Sequence, residues 1–376
     1  MRKTVDDKIY LGLMSGTSLD AIDAVAVTFE PGFRLLATNT LPLNEGLRTQ
    51  ILSLTLPGNN EIDQLGELDK QLGELFAECA NQLITDGNID RSRIMAIGSH
   101  GQTIRHRPSA RRPFTLQIGD PNVIAENTGI TVVADFRRRD MAVGGQGAPL
   151  VPAFHQAMFR SPQRDRVILN LGGIANITTL PADAHSLVRG YDTGPANILM
   201  DAWIQHCRQH AYDRNGAWAA SGKLRPDLLG RMLQHPFFDL PAPKSTGRED
   251  FNLAWLQQIL AADSYPDADI QATLCELTAT SVAKAIESEK LVSPELILCG
   301  GGAYNAHLAA RLQELLPKCL ITDTSHYGLS PTWVEATAFA WLAKQTMGHL
   351  PGNLPAVTGA REARVLGGIY PGRMGR

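Results

Sequence analysis

Apolar and polar positions along this chain fall into short blocks whose spacing switches between that of strands and that of helices. Residues 9–14, Ile-Tyr-Leu-Gly-Leu-Met, are an unbroken apolar run, as expected of a strand buried on both faces. Ser15-Gly16-Thr17-Ser18 reads as a turn, and 21–29, rich in small and β-branched residues, as a second strand. Between 61 and 85, Ile62, Leu65, Leu68, Leu72, Leu75 and Phe76 recur at helical spacing. Short strands are expected at 94–98 and 130–134. A loop rich in Gly, Ala and Pro over 144–152 reads as a boundary.

The second half opens the same way: strand 167–171, turn Gly172-Gly173, strand 174–180. A strand, small-residue turn and strand thus occur near the start of both halves, the pattern of a duplicated domain. Helices are expected at 195–210, 251–262, 272–291, 306–316 and 332–347. Strands at 295–299 and 320–322 flank Gly300-Gly301-Gly302. Alternating helices and apolar strands predict an α/β protein with layered sheets. The expected division is a first domain over 1–150 and a second over 151–376, the last helix packing back on the first.

Composition narrows the classes. Charged residues make up 19% of the 376, too few for a disordered chain, and hydrophobic residues make up 44%. Net charge is -3, which argues against a global grip on nucleic acid. The five cysteines form no C-x-x-C pair, against a zinc site or disulfide framework and in keeping with a reducing cytoplasm. No apolar stretch reaches the ~18 residues that span a bilayer, and the charged N-terminus lacks a signal-peptide core.

Three glycine-rich turns follow strands: at 15–18, 172–173 and 300–302. Such turns let backbone N–H groups approach a phosphate, so a nucleotide site is the favoured reading over ordinary tight turns. No P-loop spacing exists, and the triglycine with Asp323 about twenty residues on is a minority dinucleotide reading. Asp192, before Gly194-Pro195, suits either a turn or a general base. Glu335 in Thr332-Trp333-Val334-Glu335 fits a capping box, as does Glu249 in Thr246-Gly247-Arg248-Glu249, which leaves Lys244 and Arg248 for an anion. Asp20 could meet a metal held by phosphates, while Asp23 divides evenly between that and a structural place. Arg105 to Arg107, Arg111-Arg112 and Arg137 to Arg139 read mainly as solvated surface, with one or two free to grip a carboxylate.

Taken in order, these motifs resemble the anhydro-N-acetylmuramic acid kinases. The residues that carry the resemblance are Leu13-Met14-Ser15-Gly16-Thr17-Ser18-Leu19-Asp20, Ser99-His100-Gly101-Gln102-Thr103, Asp135-Phe136-Arg137 and Gly144 to Pro152. Further on come Asn170 to Asn176, Asp192-Thr193-Gly194-Pro195-Ala196-Asn197, Pro243 to Glu249 and the triglycine. One departure is Ala21, where the family usually carries glycine.

The resemblance implies two related actin/hexokinase-like (ribonuclease H-like) domains with a nucleotide cleft between them. It implies a cytoplasmic bacterial homodimer that recycles cell-wall sugar. Its substrates would be ATP and 1,6-anhydro-N-acetylmuramic acid, with Mg²⁺ as cofactor and neither nucleic acid nor membrane as partner. Asp192 would be the base and Glu335 a second catalytic carboxylate. Gly16, Thr17, Ser18, Leu19, Asp20, Ala21, Ile22 and Asp23 would hold ATP, Asp20 meeting Mg²⁺ through the phosphates. Gly172, Gly173, Gly300, Gly301 and Gly302 would complete the nucleotide site. His100, Gln102, Thr103, Arg137 and Lys244 would contact the sugar. An ordinary sugar kinase and an actin-like filament protein are the competing readings.

Overall fold

The computed structural model describes residues 8–16, 19–261 and 264–373. They form two compact units. The first takes in residues through Phe154 and those from Trp333 onward, and the second is His155–Thr332. Residues from 333 onward therefore group with the first unit, and the second is shorter than 151–376. The division falls inside the helix Val151–Phe159 rather than in the 144–152 loop. Six helices matter below: α1 (Glu61–Asp86), α2 (Phe136–Ala142), α3 (Asn197–Arg208), α4 (Leu253–Leu260), α5 (Asp267–Ser288) and α6 (Val334–Met347).

In the first unit, β1 (Ile9–Ser15), β2 (Ala21–Thr28) and β3 (Arg34–Pro42) form an antiparallel meander. β4 (Ile94–Ser99) then joins β1 in parallel, and β5 (Gln102–Arg107) and β6 (Phe114–Ile118) make a separate hairpin. β7 (Val132–Ala134) runs parallel to β4, and the short strand Gly368–Tyr370 closes the edge. The sheet order is β3-β2-β1-β4-β7, then that last strand. Leu68, Leu72 and Phe76 of α1 bury themselves against Ile9, Leu11 and Leu13, alternate residues of β1. Gly12, between Leu11 and Leu13, belongs to the other face, where α6 packs across β1, β4 and β2.

The second unit repeats that plan. β8 (Arg166–Leu171), β9 (Ile174–Leu180) and β10 (Arg189–Pro195) form the meander, and β11 (Glu295–Cys299) and β12 (Leu320–Asp323) add in parallel. The order β10-β9-β8-β11-β12 matches β3-β2-β1-β4-β7 strand for strand and direction for direction. The duplicated α/β, ribonuclease H-like fold expected from the sequence is thus observed. The core gathers Val167, Leu169 and Leu171 with Leu199 and Trp203 of α3 and Leu274 and Leu277 of α5.

Several element edges differ from expectation. α3 starts at Asn197, not Pro195, because Asp192 and Gly194-Pro195 pair with Asn176 to Ile174 as a bulged end of β10. α5 begins at Asp267, with Asp267 and Asp269 in its first turn, where acidic groups favour helix initiation. α6 begins at Val334, after a 3₁₀ turn over Pro331–Trp333.

α6 lies unusually close to its sheet. Gly12 and Gly98 are register partners on β1 and β4, so they form one notch across two strands. A Cβ on Gly12 would lie 1.9 Å from the Ala336 carbonyl oxygen, and one on Gly98 2.0 Å from that of Phe339. These neighbours are helix backbone and cannot rotate away. Gly12→Ala and Gly98→Ala should each destabilise this unit by about 1–3 kcal/mol or more, the usual cost of overpacking. Urea unfolding measures this; an unchanged midpoint would mean that α6 shifts outward freely.

Candidate active site

The β1–β2 turn begins at Gly16, whose carbonyl accepts the Leu19 amide at 3.2 Å. Thr17 and Ser18 lie outside the described residues. Leu19 has φ of 58°, a left-handed conformation uncommon outside glycine, and its side chain is buried, as is that of Ile22. Only the backbone of those two residues is available to a ligand. Ala21 opens β2 and is not among the positive-φ residues, so glycine is not required there. Asp20 is exposed and paired with Arg48 at 3.2 Å. Asp23 accepts the Thr40 hydroxyl at 2.9 Å, while burial pushes its carboxyl above the usual range.

At the carboxyl end of β4, His100 stacks on Phe339 of α6 with ring centroids 4.7 Å apart. Arg137 Nε and Nη2 approach His100 Nε2 at 3.2 and 2.9 Å, and Nη1 donates to the Gly147 carbonyl at 2.9 Å. A guanidinium only donates, so Nε2 is the acceptor and the imidazole proton sits on Nδ1. Burial and the Arg137 charge lower the His100 pKa to about 3, keeping it neutral. Of the 137–139 arginines, only Arg137 turns inward; Arg138 and Arg139 are exposed. Burial lowers its pKa to about 10, opposed by Glu335. Burial likewise raises the Glu335 carboxyl, Arg137 lowers it and Asp23 raises it again. Glu335 thus belongs to a charge cluster with Arg137 and Asp23, and no side-chain cap forms at the start of α6.

His100 and Gln102 are buried, and Thr103 accepts a hydrogen bond from Gln117 at 3.0 Å. The contact of the His100 ring nitrogen Nε2 is with Arg137. The side-chain oxygens of Ser15, Ser99 and Gln102 are buried without hydrogen-bond partners among the described residues. Such atoms are ordinarily satisfied by ordered water or a ligand. Of these three residues, Ser99 lines a cavity of about 170 Å³, together with His100, Gly101, Gln117, Asp135 and Tyr370 among others.

In the second unit, Asp192 sits in β10 just before a bulge. Its Oδ2 accepts the Ser245 hydroxyl at 2.9 Å and the Thr246 amide at 3.0 Å. Its own amide donates to the Lys244 carbonyl at 3.0 Å. Oδ1 has no hydrogen bond among the described residues. Burial pushes the carboxyl up, the Thr246 and Ser245 donors pull it down, and the Glu249 charge raises it. Thr246 and Glu249 are therefore part of the surroundings of Asp192, not a capping box. The α4 cap is Asn252, whose Oδ1 accepts the Trp255 amide at 3.0 Å. Ser245 and Thr246 were missed as functional residues; their one sequence signal was the Pro243–Glu249 motif itself.

Lys244 is already engaged. Its Nζ donates to the carbonyls of Phe237 and Phe238 at 3.0 and 3.1 Å and lies 4.4 Å from the Phe237 ring centre. It pins the strap that carries Ser245 and Thr246. The Gly172 and Gly173 carbonyls accept the amides of Ala196, Asn197 and Ile198, so these first α3 donors are committed to the turn. Gly300 (φ 77°) and Gly302 are pressed against Leu171, which accounts for both without a ligand. Gly301 alone in the triglycine has open space.

The opposed influences on Asp192 give a titration with a definite sign. Ser245→Ala removes a donor to the carboxylate and should raise its pKa; Glu249→Gln removes a repelling charge and should lower it. Carboxyl ¹³C NMR titration reads both, and shifts in the reverse order would refute this account of the site.

Residues 8–372 match the anhydro-N-acetylmuramic acid kinase family. A relative of that name from Shewanella pealeana is 54% identical over 370 residues, 98% of this chain and 100% of that one. Another, from Coxiella burnetii, is 51% identical over 363 residues, 96% and 97% of the two chains. Component A of (R)-2-hydroxyglutaryl-CoA dehydratase from Acidaminococcus fermentans aligns with 90% of the chain, at a TM-score of 0.49 and 11% identity. The fold assignment rests instead on the matching strand orders of the two sheets. Identity above one half over nearly the full length leaves one conclusion: the chain belongs to the anhydro-N-acetylmuramic acid kinase family.

Proposed function

We propose that this protein is an ATP-dependent kinase acting on 1,6-anhydro-N-acetylmuramic acid. It opens the anhydro ring with water and phosphorylates O6, giving N-acetylmuramic acid 6-phosphate and ADP. The observation that carries the mechanism is the Asp192 carboxylate, with one oxygen held by Ser245 and Thr246 and the other unengaged by the described residues. A base must be fixed in direction yet keep a lone pair for its proton, and this arrangement supplies both. Burial raises its pKa against the Thr246 and Ser245 donors, which makes it more basic than an ordinary aspartate.

In the reaction, Asp192 takes a proton from the water that attacks C1. The C1–O6 bond breaks as O6 attacks the γ-phosphorus, so the departing oxygen is also the nucleophile toward phosphorus. No general acid is needed, because phosphorus rather than a proton takes that oxygen. The first half resembles an inverting glycosidase. Phosphoryl transfer requires positioning and charge neutralisation, for which the turn from Gly16 to Asp23 is the candidate. Mg²⁺ would neutralise charge on the phosphate oxygens. Asp20, an exposed oxygen donor, suits that hard cation, the remaining ligands being phosphates and water. Arg137, with N–H donors beyond those given to His100 and Gly147, is suited to an anionic group of the sugar, and Glu335 to its hydroxyls.

The same reading makes the protein a cytoplasmic homodimer of cell-wall sugar recycling. Five free cysteines support a reducing compartment. Among the described residues, no helix is long and apolar enough to cross a membrane.

ADP release should depend on the anhydro sugar and be near background with its open-ring form; equal rates would make this an ordinary sugar kinase. In ¹⁸O-water the label should enter the C1 hydroxyl and not the phosphate. Asp192→Asn should lower turnover by ~10²- to 10⁴-fold with ATP binding retained, and near-normal turnover would remove Asp192 as the base.

A further inference from the structure

We propose that Asp140 is a positioning residue for Arg137, acting through the Gly147 carbonyl. The inference rests on the reading of Arg137 as a sugar-facing group. Asp140 lies one helical turn after Arg137 on α2 and is completely buried. No ion pair involving it occurs among the described residues. Its carboxylate is instead held by three neutral donors, one from the adjoining loop and two from more than two hundred residues further along the chain. Oδ2 accepts the Gly147 amide at 2.8 Å, and Oδ1 accepts Asn353 Nδ2 at 2.6 Å and the Thr358 hydroxyl at 2.8 Å.

A buried carboxylate without a cation is costly, and it persists where such donors are arranged around it. Here the arrangement shapes the 144–147 loop. The Gly145 amide donates to the Asp140 carbonyl at 3.0 Å and the Gln146 amide to the Thr358 carbonyl at 2.8 Å. A Cβ on Gly145 would fall 2.1 Å from Asp140 Oδ2, so the loop is folded directly onto the carboxylate. Gly147, held by its amide, presents its carbonyl to Arg137 Nη1 at 2.9 Å. His100 receives the other edge of the same guanidinium. Arg137 is thereby fixed on two sides, by His100 and by the Gly147 carbonyl. Asp140 sets the second.

The test is a double-mutant cycle with a second readout that does not need turnover. Asp140→Asn should lower kcat/KM for the anhydro sugar by roughly tenfold to a hundredfold, the scale of a misplaced binding group, with the KM for ATP unchanged. Combined with Arg137→Ala, it should add no further loss. Multiplicative losses would overturn the proposal. Imidazole ¹⁵N NMR reports the Arg137 contact at His100 Nε2, and Asp140→Asn should perturb that signal. An unperturbed signal would overturn the proposal too, whatever the substrate proves to be. Failure of the kinase reading would instead appear as absent turnover in the unaltered protein. If Asp140→Asn does not fold, Thr358→Val, which removes one donor from the same carboxylate, replaces it in both experiments with the same opposed outcomes.

Discussion

The first unit depends on the contact between a helix backbone and two glycines. Gly12 and Gly98, side by side on parallel strands, let α6 come so near the sheet that any side chain there would meet carbonyl oxygens. The separation fixes where each α6 residue stands. Ala336 and Phe339, three apart, are the residues in the notch, and the ring of Phe339 supports His100. Glu335, one residue before the first of them, falls within the electrostatic reach of Arg137 and Asp23. Packing that looks purely structural thus sets the spacing of charges that the proposed chemistry requires.

The two candidate carboxylates are raised by burial and restrained by different means. Asp192 is restrained by two neutral donors, Glu335 by a neighbouring cation. Neutral donors fix direction as well as energy, because each hydrogen bond prefers one line of approach. A cation acts over a wider range and tolerates movement. The difference suits a base that must meet one water at Asp192, and a group that must stay compatible with a charged substrate at Glu335.

Local pattern was a good guide wherever one stretch of chain determined its own structure. The run at 9–14, the helix from 61 and the paired strands around Gly172-Gly173 emerge as expected. It failed where a distant partner decided the outcome. Pro195 carries a helix-start signal, yet strand pairing with Ile174 claims it. Thr246 and Glu249 have capping-box spacing, yet the Thr246 amide goes to Asp192, more than fifty residues away in sequence. Charge pattern alone did not separate Arg137 from Arg138 and Arg139; only the resemblance set it apart, and it alone of the three turns inward. Asp140 gave no signal at all, since two of its three donors, Asn353 and Thr358, lie more than two hundred residues further along the chain. Residue pattern already marked Asp192 and Glu335 and the resemblance gave them roles, but neither revealed what holds them.

The return of residues 333–373 to the first unit has a consequence for the order in which this protein takes shape. The second unit is one uninterrupted stretch, His155–Thr332, and has all its strands once that stretch has been made. The first unit lacks α6 and its final edge strand until residues 334–370 have been made. At ~5–20 residues per second, its sheet therefore waits roughly ten to forty seconds with the Gly12–Gly98 notch uncovered. The half that is translated first is the half that is completed last, and the apolar face awaiting α6 is what a nascent chain would have to shield in the meantime.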